Sequence, residues 1–265
     1  RLKGGKPCSD CLDGDFSHVL RNRCAEGSLG KSALLYAEAM VQRMMGSYEK
    51  VDAFIAPSRF MQESIAHRVP GDRIRLLYNG IDTNEVHGSG ADEGYVLFLG
   101  RLVQEKGVET LLKAHARSTA GWRLAIAGTG PLADELMAKY NPSNFVGYVA
   151  GDALKAMIDR ASVVVVPSEW YENCPMSVLE AMAYGKPVVG SRMGGIPELV
   201  DDGKTGLLYE AGNVNELTSA LDRLMSSAEL RKQMGMAGRQ RVETAFSLDS
   251  HNAGLMKIYK SILGT

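Results

Sequence analysis

Short apolar runs alternate with amphipathic stretches along the chain from residue 95 onward. The runs predict strands at 95–100, 123–127, 144–149, 163–167, 187–191 and 206–209. Helical spacing of apolar positions predicts helices at 105–117, 131–140, 152–161, 176–184, 213–226, 229–245 and 248–263. Because strands rich in Val, Ile and Leu alternate with helices, we expect an α/β fold with a parallel sheet covered on both faces.

The first third of the chain is less regular. Residues 1–30 are polar and Gly-rich and suggest no regular element. A helix is predicted over 32–48, a buried strand over 51–56, and a helix that Ser58 caps and that ends near residue 67. We therefore expect four parts: the tail of one domain (1–82), a Gly/Ser/Asp-rich linker (83–94), a complete doubly wound domain (95–247) and a C-terminal helix (248–265).

Composition and charge exclude several classes of protein. The 265 residues include 30 Lys plus Arg and 31 Asp plus Glu, a net charge of −1, which provides no electrostatic basis for nucleic-acid binding. No apolar run approaches the ~20 residues that span a bilayer. The first residues lack both an initiator Met and an apolar signal core, so we expect the chain to be cut from a longer protein.

In open α/β sheets, ligands bind outside the carboxyl ends of the strands, so motifs at those ends are the candidates for function. Gly100 follows the first predicted strand of the sheet, and Arg101 and Lys106 come directly after it. The planar guanidinium of arginine can donate two hydrogen bonds to phosphate oxygens, and lysine supplies a compact positive charge. The free N–H groups at the start of the next helix can also bind an anion. The alternative is a solvated loop with two surface cations.

A second motif follows the strand at 163–167 and contains two glutamates, Glu172 and Glu180, with seven residues between them. Pro175 fits the first turn of a helix, which puts Glu172 in the preceding loop and Glu180 more than a turn inside the helix. The amides at 176–178 then form an anion site between the two carboxylates. Alternatively, Glu172 favours the helix dipole and Glu180 is solvated, but Glu180 stands in an apolar helix where an unpaired carboxylate is costly.

Two glycine motifs are less specific. Gly194 and Gly195 precede a helix that begins with a proline, which allows the backbone to approach a ligand closely. Residues 128–133 match the G-x-G-x-x-A pattern of dinucleotide sites, and a dinucleotide-dependent oxidoreductase is the corresponding alternative. We interpret 128–133 as a tight turn, because Pro131 suits a helix start and no acidic residue clearly ends the next strand.

Three of the four cysteines, Cys8, Cys11 and Cys24, gather near the N-terminus around His18. The Cys8-x-x-Cys11 spacing is typical of zinc ligands, but no second pair repeats it. Reduced thiols and a disulfide are the alternatives.

Together these motifs resemble glycosyltransferase family 4. The resemblance rests on the spacing of Glu172 and Glu180, with Ala-Met-Ala and Gly-Lys-Pro-Val-Val behind it, and on GRLVQEKG, NGID and GGIPELV in the family's order. It implies a GT-B type fold and retaining transfer of a hexose from a UDP- or GDP-sugar to a carbohydrate or lipid-linked acceptor, as in the synthesis of cell-surface polysaccharide or glycolipid. It implies no cofactor and no metal.

The resemblance also assigns roles to residues. Arg101 and Lys106 would hold the donor diphosphate and Glu172 would face the sugar, so these three form the expected catalytic set. The donor-binding residues that it implies are Glu180 at the ribose, Gly100, Asn173, Cys174, Met176, Ser177 and Val178 at sugar and phosphate, and Tyr148 and Val149 beside the base. Many members have Gly-Phe-Gly-like residues after the first Glu. Here Asn173-Cys174-Pro175 removes one N–H donor, so sugar identity is not carried over.

In this family the acceptor domain comes first, and residues 1–80 resemble only its final part. We therefore expect this chain to bind a nucleotide sugar without transferring it. The resemblance implies a cytoplasmic location, with contact at the inner face of the membrane as an option carried by the preceding domain. A sugar-nucleotide epimerase and a non-catalytic nucleotide-sugar-binding module are the alternative functions.

Overall fold

The structure is a computed structural model that describes residues 2–3, 6–8, 10–11 and 14–264. The chain divides into two compact units. We call residues 1–77 with 255–265 the small unit, and residues 78–254 the sheet unit. No helix in the described part of the chain combines the length and the apolar character that crossing a bilayer requires.

The small unit contains two short sheets. Strands β1 (Leu2–Lys3) and β2 (Lys6–Pro7) are antiparallel, and β3 (Phe54–Ala56) is parallel to β4 (Ile74–Leu76). The helices are α1 (Ser17–Arg21), α2 (Leu29–Met44) and α3 (Arg59–Ile65). The predicted cap of α3 is present, since Ser58 Oγ accepts a hydrogen bond from the N–H of Met61 at 3.1 Å. The sequence prediction missed β1, β2, β4 and α1, which are too short to show a period.

The sheet unit is built on six parallel strands in the order β10-β9-β8-β5-β6-β7. The strands are β5 (Tyr95–Leu99), β6 (Arg123–Ala127), β7 (Phe145–Gly147), β8 (Val163–Val166), β9 (Val188–Ser191) and β10 (Gly206–Tyr209). The prediction of a parallel sheet is confirmed. The chain order reverses between β5 and β8, so their carboxyl ends border a topological switch point, where such sheets bind ligands.

Helices alternate with these strands along the chain. They are α4 (Val108–Arg117), α5 (Ala133–Lys139), α6 (Gly151–Arg160), α7 (Met176–Ala183), α8 (Ile196–Leu199), α9 (Val214–Met225), α10 (Ala228–Ala245) and α11 (Leu248–Leu263). The helices predicted from residue 105 onward agree with these bounds to within three residues. The shortest, α8, is a single turn with Pro197 in its first positions.

Burial on both faces of the sheet explains why its strands show no polar alternation. In β5, Val96 and Phe98 join one apolar cluster and Leu97 joins the other. Successive side chains of a strand point to opposite faces, so each strand supplies both clusters. All four valines of β8 are buried. Continuous apolar runs of this kind are typical of parallel sheets covered on both sides.

The segment predicted as a linker, 83–94, is packed onto α10. The guanidinium of Arg239 donates hydrogen bonds to the carbonyls of Thr83 and Val86, each at 2.8 Å. Arg231, also in α10, forms an ion pair with Asp92 at 2.6 Å. These arginine contacts tie the segment to the sheet unit despite its polar composition.

Candidate active site

The predicted site residues lie on loops that leave the carboxyl ends of neighbouring strands. Residues 100–107 follow β5, residues 167–175 follow β8, and residues 192–195 follow β9. Because β9, β8 and β5 are adjacent in the sheet, the three loops leave the same edge side by side. The sheet topology therefore brings together three motifs that are far apart in the sequence.

The central contact of the site joins two of the residues in the expected catalytic set. The ammonium Nζ of Lys106 lies 2.5 Å from Oε1 of Glu172, and the hydroxyl of Ser168 donates to the same Oε1 at 2.6 Å. The Glu172 side chain is 16% exposed and that of Lys106 is 37% exposed. Partial burial shields this ion pair from water, so it is stronger than a surface pair. An anion that binds Lys106 must share its ammonium with Glu172 or displace the carboxylate.

The position of Lys106 depends on the glycine that follows it. The 3₁₀ turn Gln104–Lys106 ends at Gly107, which has a φ of +65°. A Cβ atom at Gly107 would lie 1.8 Å from the carbonyl oxygen of Pro167. Only glycine allows this contact and this φ together. The contact sets the Lys106 turn directly against the loop that leads to Glu172.

The position of Glu172 depends on the glycine pair after β9. The N–H of Gly195 donates to the carbonyl of Glu172 at 2.6 Å. Gly194 has a φ of +59°, and a Cβ there would lie 2.3 Å from the same oxygen. The close approach that these glycines make is therefore to the backbone of Glu172. The glycine pair after β9 therefore supports the loop that carries Glu172.

The loop between Glu172 and α7 is held by the NGID motif, residues 79–82. The amide Nδ2 of Asn79 donates to the carbonyl of Cys174 at 3.1 Å. Cys174 is buried, and burial raises the pKa of its thiol, which favours the neutral form and suits a wall of the site. The N–H of Val178, predicted to face an anion, donates to the carbonyl of Pro175 at 3.1 Å. Among the described residues the N–H groups of Met176 and Ser177 have no backbone partner.

Glu180 is a half-buried carboxylate inside α7. Its neighbours in the helix, Leu179 and Ala181, are buried in the apolar cluster on one face of the sheet. Burial raises the pKa of Glu180, and no partner for its carboxylate is found among the residues that the structure describes. The alternative of a fully solvated glutamate is disfavoured. A ligand hydroxyl would supply the missing hydrogen bond.

The remaining predicted residues surround this centre at different levels of exposure. Arg101 is exposed, and no ion pair is found for it within the described ranges. Gly100 continues the edge of the sheet, with its N–H donating to the carbonyl of Ala127 at 3.0 Å. Tyr148 is 77% exposed beyond the end of β7, while Val149 packs against the apolar cluster. Lys106 and Glu172 are thus in direct contact, whereas Arg101 and Tyr148 face solvent.

Known protein families match most of the chain. A family model described as glycosyl transferases group 1 matches residues 82–241. A second, described as glycosyltransferase family 4, matches residues 26–85. The chain belongs to the group 1 glycosyl transferases.

Relatives of this glycosyl transferase match most of its length. An uncharacterised glycosyltransferase of Methanocaldococcus jannaschii is 30% identical over 240 residues, which are 88% of this chain and 67% of the relative. The alpha-maltose-1-phosphate synthase of Mycolicibacterium smegmatis is 30% identical over 249 residues, 81% of this chain and 64% of the relative. A chain from Anabaena, solved with UDP and glucose, has a TM-score of 0.73 at 21% identity over 81% of this chain and 65% of its own. The structural likeness confirms the predicted fold. The chain spans about two thirds of the length of each.

In this glycosyl transferase the G-x-G-x-x-A segment packs against protein. A Cβ at Gly128 would lie 1.8 Å from the carbonyl oxygen of Gly100, and one at Gly130 would lie 2.4 Å from that of Leu102. The space that a dinucleotide pyrophosphate would need beside these two glycines is filled by backbone. The interpretation as a tight turn agrees with this packing.

The cysteine cluster belongs to the small unit. Cys8, Cys11 and Cys24 line a common cavity and are free thiols. His18 lies 3.6 Å from the carboxylate of Asp15. In the described part of the chain, no group of three or more His, Cys, Asp or Glu side chains is placed to hold a metal ion. Their positions therefore lend no support to a zinc site.

Ser168 and Asn79 support the site, although the sequence motifs predicted neither of these roles. Ser168 is buried and forms two hydrogen bonds: its hydroxyl donates to Glu172, and its carbonyl accepts from the hydroxyl of Ser191 at 2.6 Å. A signal was present, because a small hydroxyl residue directly follows a buried strand at the edge where ligands bind. Asn79 belongs to a recognised motif, but its contact with Cys174 spans 95 residues and has no local trace.

We expect Gly194→Ala to destabilise the sheet unit by ~2–5 kcal/mol, because a positive φ and a backbone overlap with Glu172 both oppose the methyl group. Gly203→Ala is the matched control: its φ is +78°, but nothing lies within 4 Å of the added Cβ. It should cost ~1–2 kcal/mol. Urea unfolding followed by the fluorescence of Trp122 and Trp170, both in the sheet unit, measures the two values. Equal costs would contradict the role given to the Gly194 contact.

We expect Glu180→Gln to stabilise the sheet unit at neutral pH. Burial raises the pKa of Glu180 above its ordinary 4.5, so the folded state loses stability as the pH rises from 4.5 through the raised value. A neutral amide avoids that loss, because it costs less to bury than a carboxylate. The gain in the urea midpoint should be present at about pH 7 and shrink towards about pH 5. Glu85→Gln, at an exposed loop position, should leave both midpoints unchanged. A gain independent of pH would refute this account.

Proposed function

We propose that this chain carries the donor site of a retaining hexosyltransferase. The enzyme moves a hexose from a UDP- or GDP-sugar to a carbohydrate or lipid-linked acceptor. The observation that supports this most directly is the contact between Lys106 and Glu172 at the carboxyl edge of the sheet, with the exposed Arg101 in the same loop as Lys106. Family membership adds that the reaction is a glycosyl transfer.

The chemistry requires charge stabilisation at the leaving group. As the glycosidic bond breaks, a nucleoside diphosphate gains negative charge. Arg101 supplies a guanidinium fork and Lys106 a compact ammonium, while the first N–H groups of α7 add the positive end of a helix. Preorganised donors of this kind usually lower the activation barrier more than any other single effect. With two cations and helix amides available, the proposed mechanism uses no divalent metal.

Glu172 has a second role in this proposal. Ser168 and the Gly195 amide hold it in place even when Lys106 turns to a phosphate. Its carboxylate then orients the sugar and offsets the positive charge that develops on the ring. Glu172 and Glu180 do not act as a glycosidase pair, because Glu180 lies inside α7 and is assigned to the ribose at the far end of the donor.

Glu180 and Tyr148 complete the donor site. The ribose hydroxyls would donate to the half-buried carboxylate of Glu180, which has no protein partner among the described residues. Tyr148 and Val149 would flank the base, Tyr148 as an exposed ring and Val149 as an apolar wall. Uniform binding of this kind raises donor affinity equally in the ground and transition states.

Product analysis separates the proposal from its alternatives. A transferase yields a glycan and a nucleoside diphosphate, an epimerase an altered nucleotide sugar, and a binding module neither. UDP-glucose is a rational first donor, because the Anabaena neighbour was solved with UDP and glucose.

The first test concerns the phosphates. We expect Arg101→Ala and Lys106→Ala each to weaken UDP or GDP binding by ~1.5–3 kcal/mol, the range for charge-assisted hydrogen bonds, while uridine or guanosine binding is unchanged. Lys106→Ala should have the larger effect, because it also leaves Glu172 to repel the diphosphate. Adding Glu172→Gln should restore part of that loss. Lys232→Ala, an exposed lysine of α10, is the matched control in calorimetry. Equal losses for nucleoside and diphosphate would overturn the assignment.

The second test separates the two glutamates in a form of the protein that transfers sugar. Glu172→Gln should chiefly lower kcat, because its carboxylate interacts with charge that develops only in the transition state. Glu180→Gln should chiefly raise the donor KM, because ribose contacts are equal in the ground and transition states. Steady-state kinetics with varied donor measure both. Full turnover by Glu172→Gln would remove Glu172 from the catalytic set.

A further inference from the structure

A hydrogen bond next to the proposed donor site joins the start of α4 to the loop after β8. The hydroxyl of Thr110 donates to Oε1 of Glu169. Thr110 is the third residue of α4 and is buried at 7% exposure. Neither residue belongs to the motifs that identify the family in this sequence. Their contact bridges 59 positions of the chain.

Two backbone contacts run beside this hydrogen bond. The N–H of Glu169 donates to the carbonyl of Glu105 at 2.8 Å. The Cα of Gly107 rests against the carbonyl of Pro167. Three contacts in succession therefore attach the segment 105–110 to the segment 167–169. Lys106 lies inside the first segment, and Glu172 follows the second by three residues.

The attachment matters because a lysine side chain is long and flexible. Because the stem itself fixes little, the ammonium keeps its contact with Glu172 only while the backbone that carries it stays at the right distance. Two of the contacts are backbone contacts, which any sequence with Gly107 retains. The bond from Thr110 to Glu169 is a side-chain contact, and it is the part of the attachment that a substitution can remove without altering backbone chemistry.

We propose that Thr110 and Glu169 are positioning residues for Lys106. Their hydrogen bond holds the start of α4 against the β8–α7 loop, so that the ammonium reaches Oε1 of Glu172 and the donor diphosphate. The inference rests on the proposed function. Neither residue touches the donor; both act through the placement of Lys106.

The experiment is a double-mutant cycle on this chain, with UDP and GDP as probes in calorimetry. Thr110→Val keeps the shape of the side chain but removes the hydroxyl that donates to Glu169. Thr110→Ser keeps this hydroxyl. We expect Thr110→Val to weaken binding about 3- to 10-fold, since one lost hydrogen bond loosens a charged group. Thr110→Ser should stay within about twofold. In the Lys106→Ala background, Thr110→Val should change affinity by less than about twofold, because coupled residues are not additive.

The outcomes distinguish failure of the proposed phosphate site from failure of the positioning role alone. If the unsubstituted chain binds neither UDP nor GDP, the proposed phosphate site is refuted, and so is the positioning role. The same holds if Lys106→Ala leaves the affinity for UDP and GDP unchanged. If Lys106→Ala weakens binding but Thr110→Val does not, the positioning role alone is refuted. An equal loss from Thr110→Val in both backgrounds, or an equal loss for uridine, also refutes it, because the effect is then on the fold. Glu169→Ala approaches the same bond from the other side and replaces Thr110→Val in the cycle if far-UV circular dichroism shows that Thr110→Val is unfolded.

Discussion

Placing the Glu172 carboxylate next to the Lys106 ammonium is the constraint on which the site depends. Both groups are partly withdrawn from water, and an unpaired charge in such a place is costly. Ser168 and the Gly195 amide hold the glutamate, and the turn before Gly107 holds the lysine. These supports come from loops after three adjacent strands, so the parallel order of the sheet is a precondition for the pair.

Much of this support is made by backbone. Gly107 and Gly194 each lie so close to a carbonyl of the β8–α7 loop that a Cβ would overlap it. Gly128 does the same for the loop after β5. Main-chain contacts leave little room for the loops to drift, which suits a site whose charges must be held in advance of the reaction. Gly107, Gly194 and Gly128 therefore serve loop-to-loop packing.

Glu180 illustrates the conflict between stability and binding. Its position in an apolar helix raises the pKa of its carboxyl and leaves the carboxylate without a partner among the described residues. A folded protein gains nothing from such a group, so its presence is best understood through a ligand that supplies hydrogen-bond donors. In the proposed function, the ribose hydroxyls of the nucleotide sugar are these donors.

The sequence by itself determined the α/β class, the six strands of the main sheet and the helices between them, because apolar period and strand-end glycines are local signals. It also predicted Lys106 and Glu172 as candidate site residues. It did not reveal that these two touch, that Gly194 supports Glu172, or that Thr110 binds Glu169. Those facts depend on which strands become neighbours. Contacts across 59 or 66 positions leave no periodic trace in the chain, and only the tertiary structure decides them.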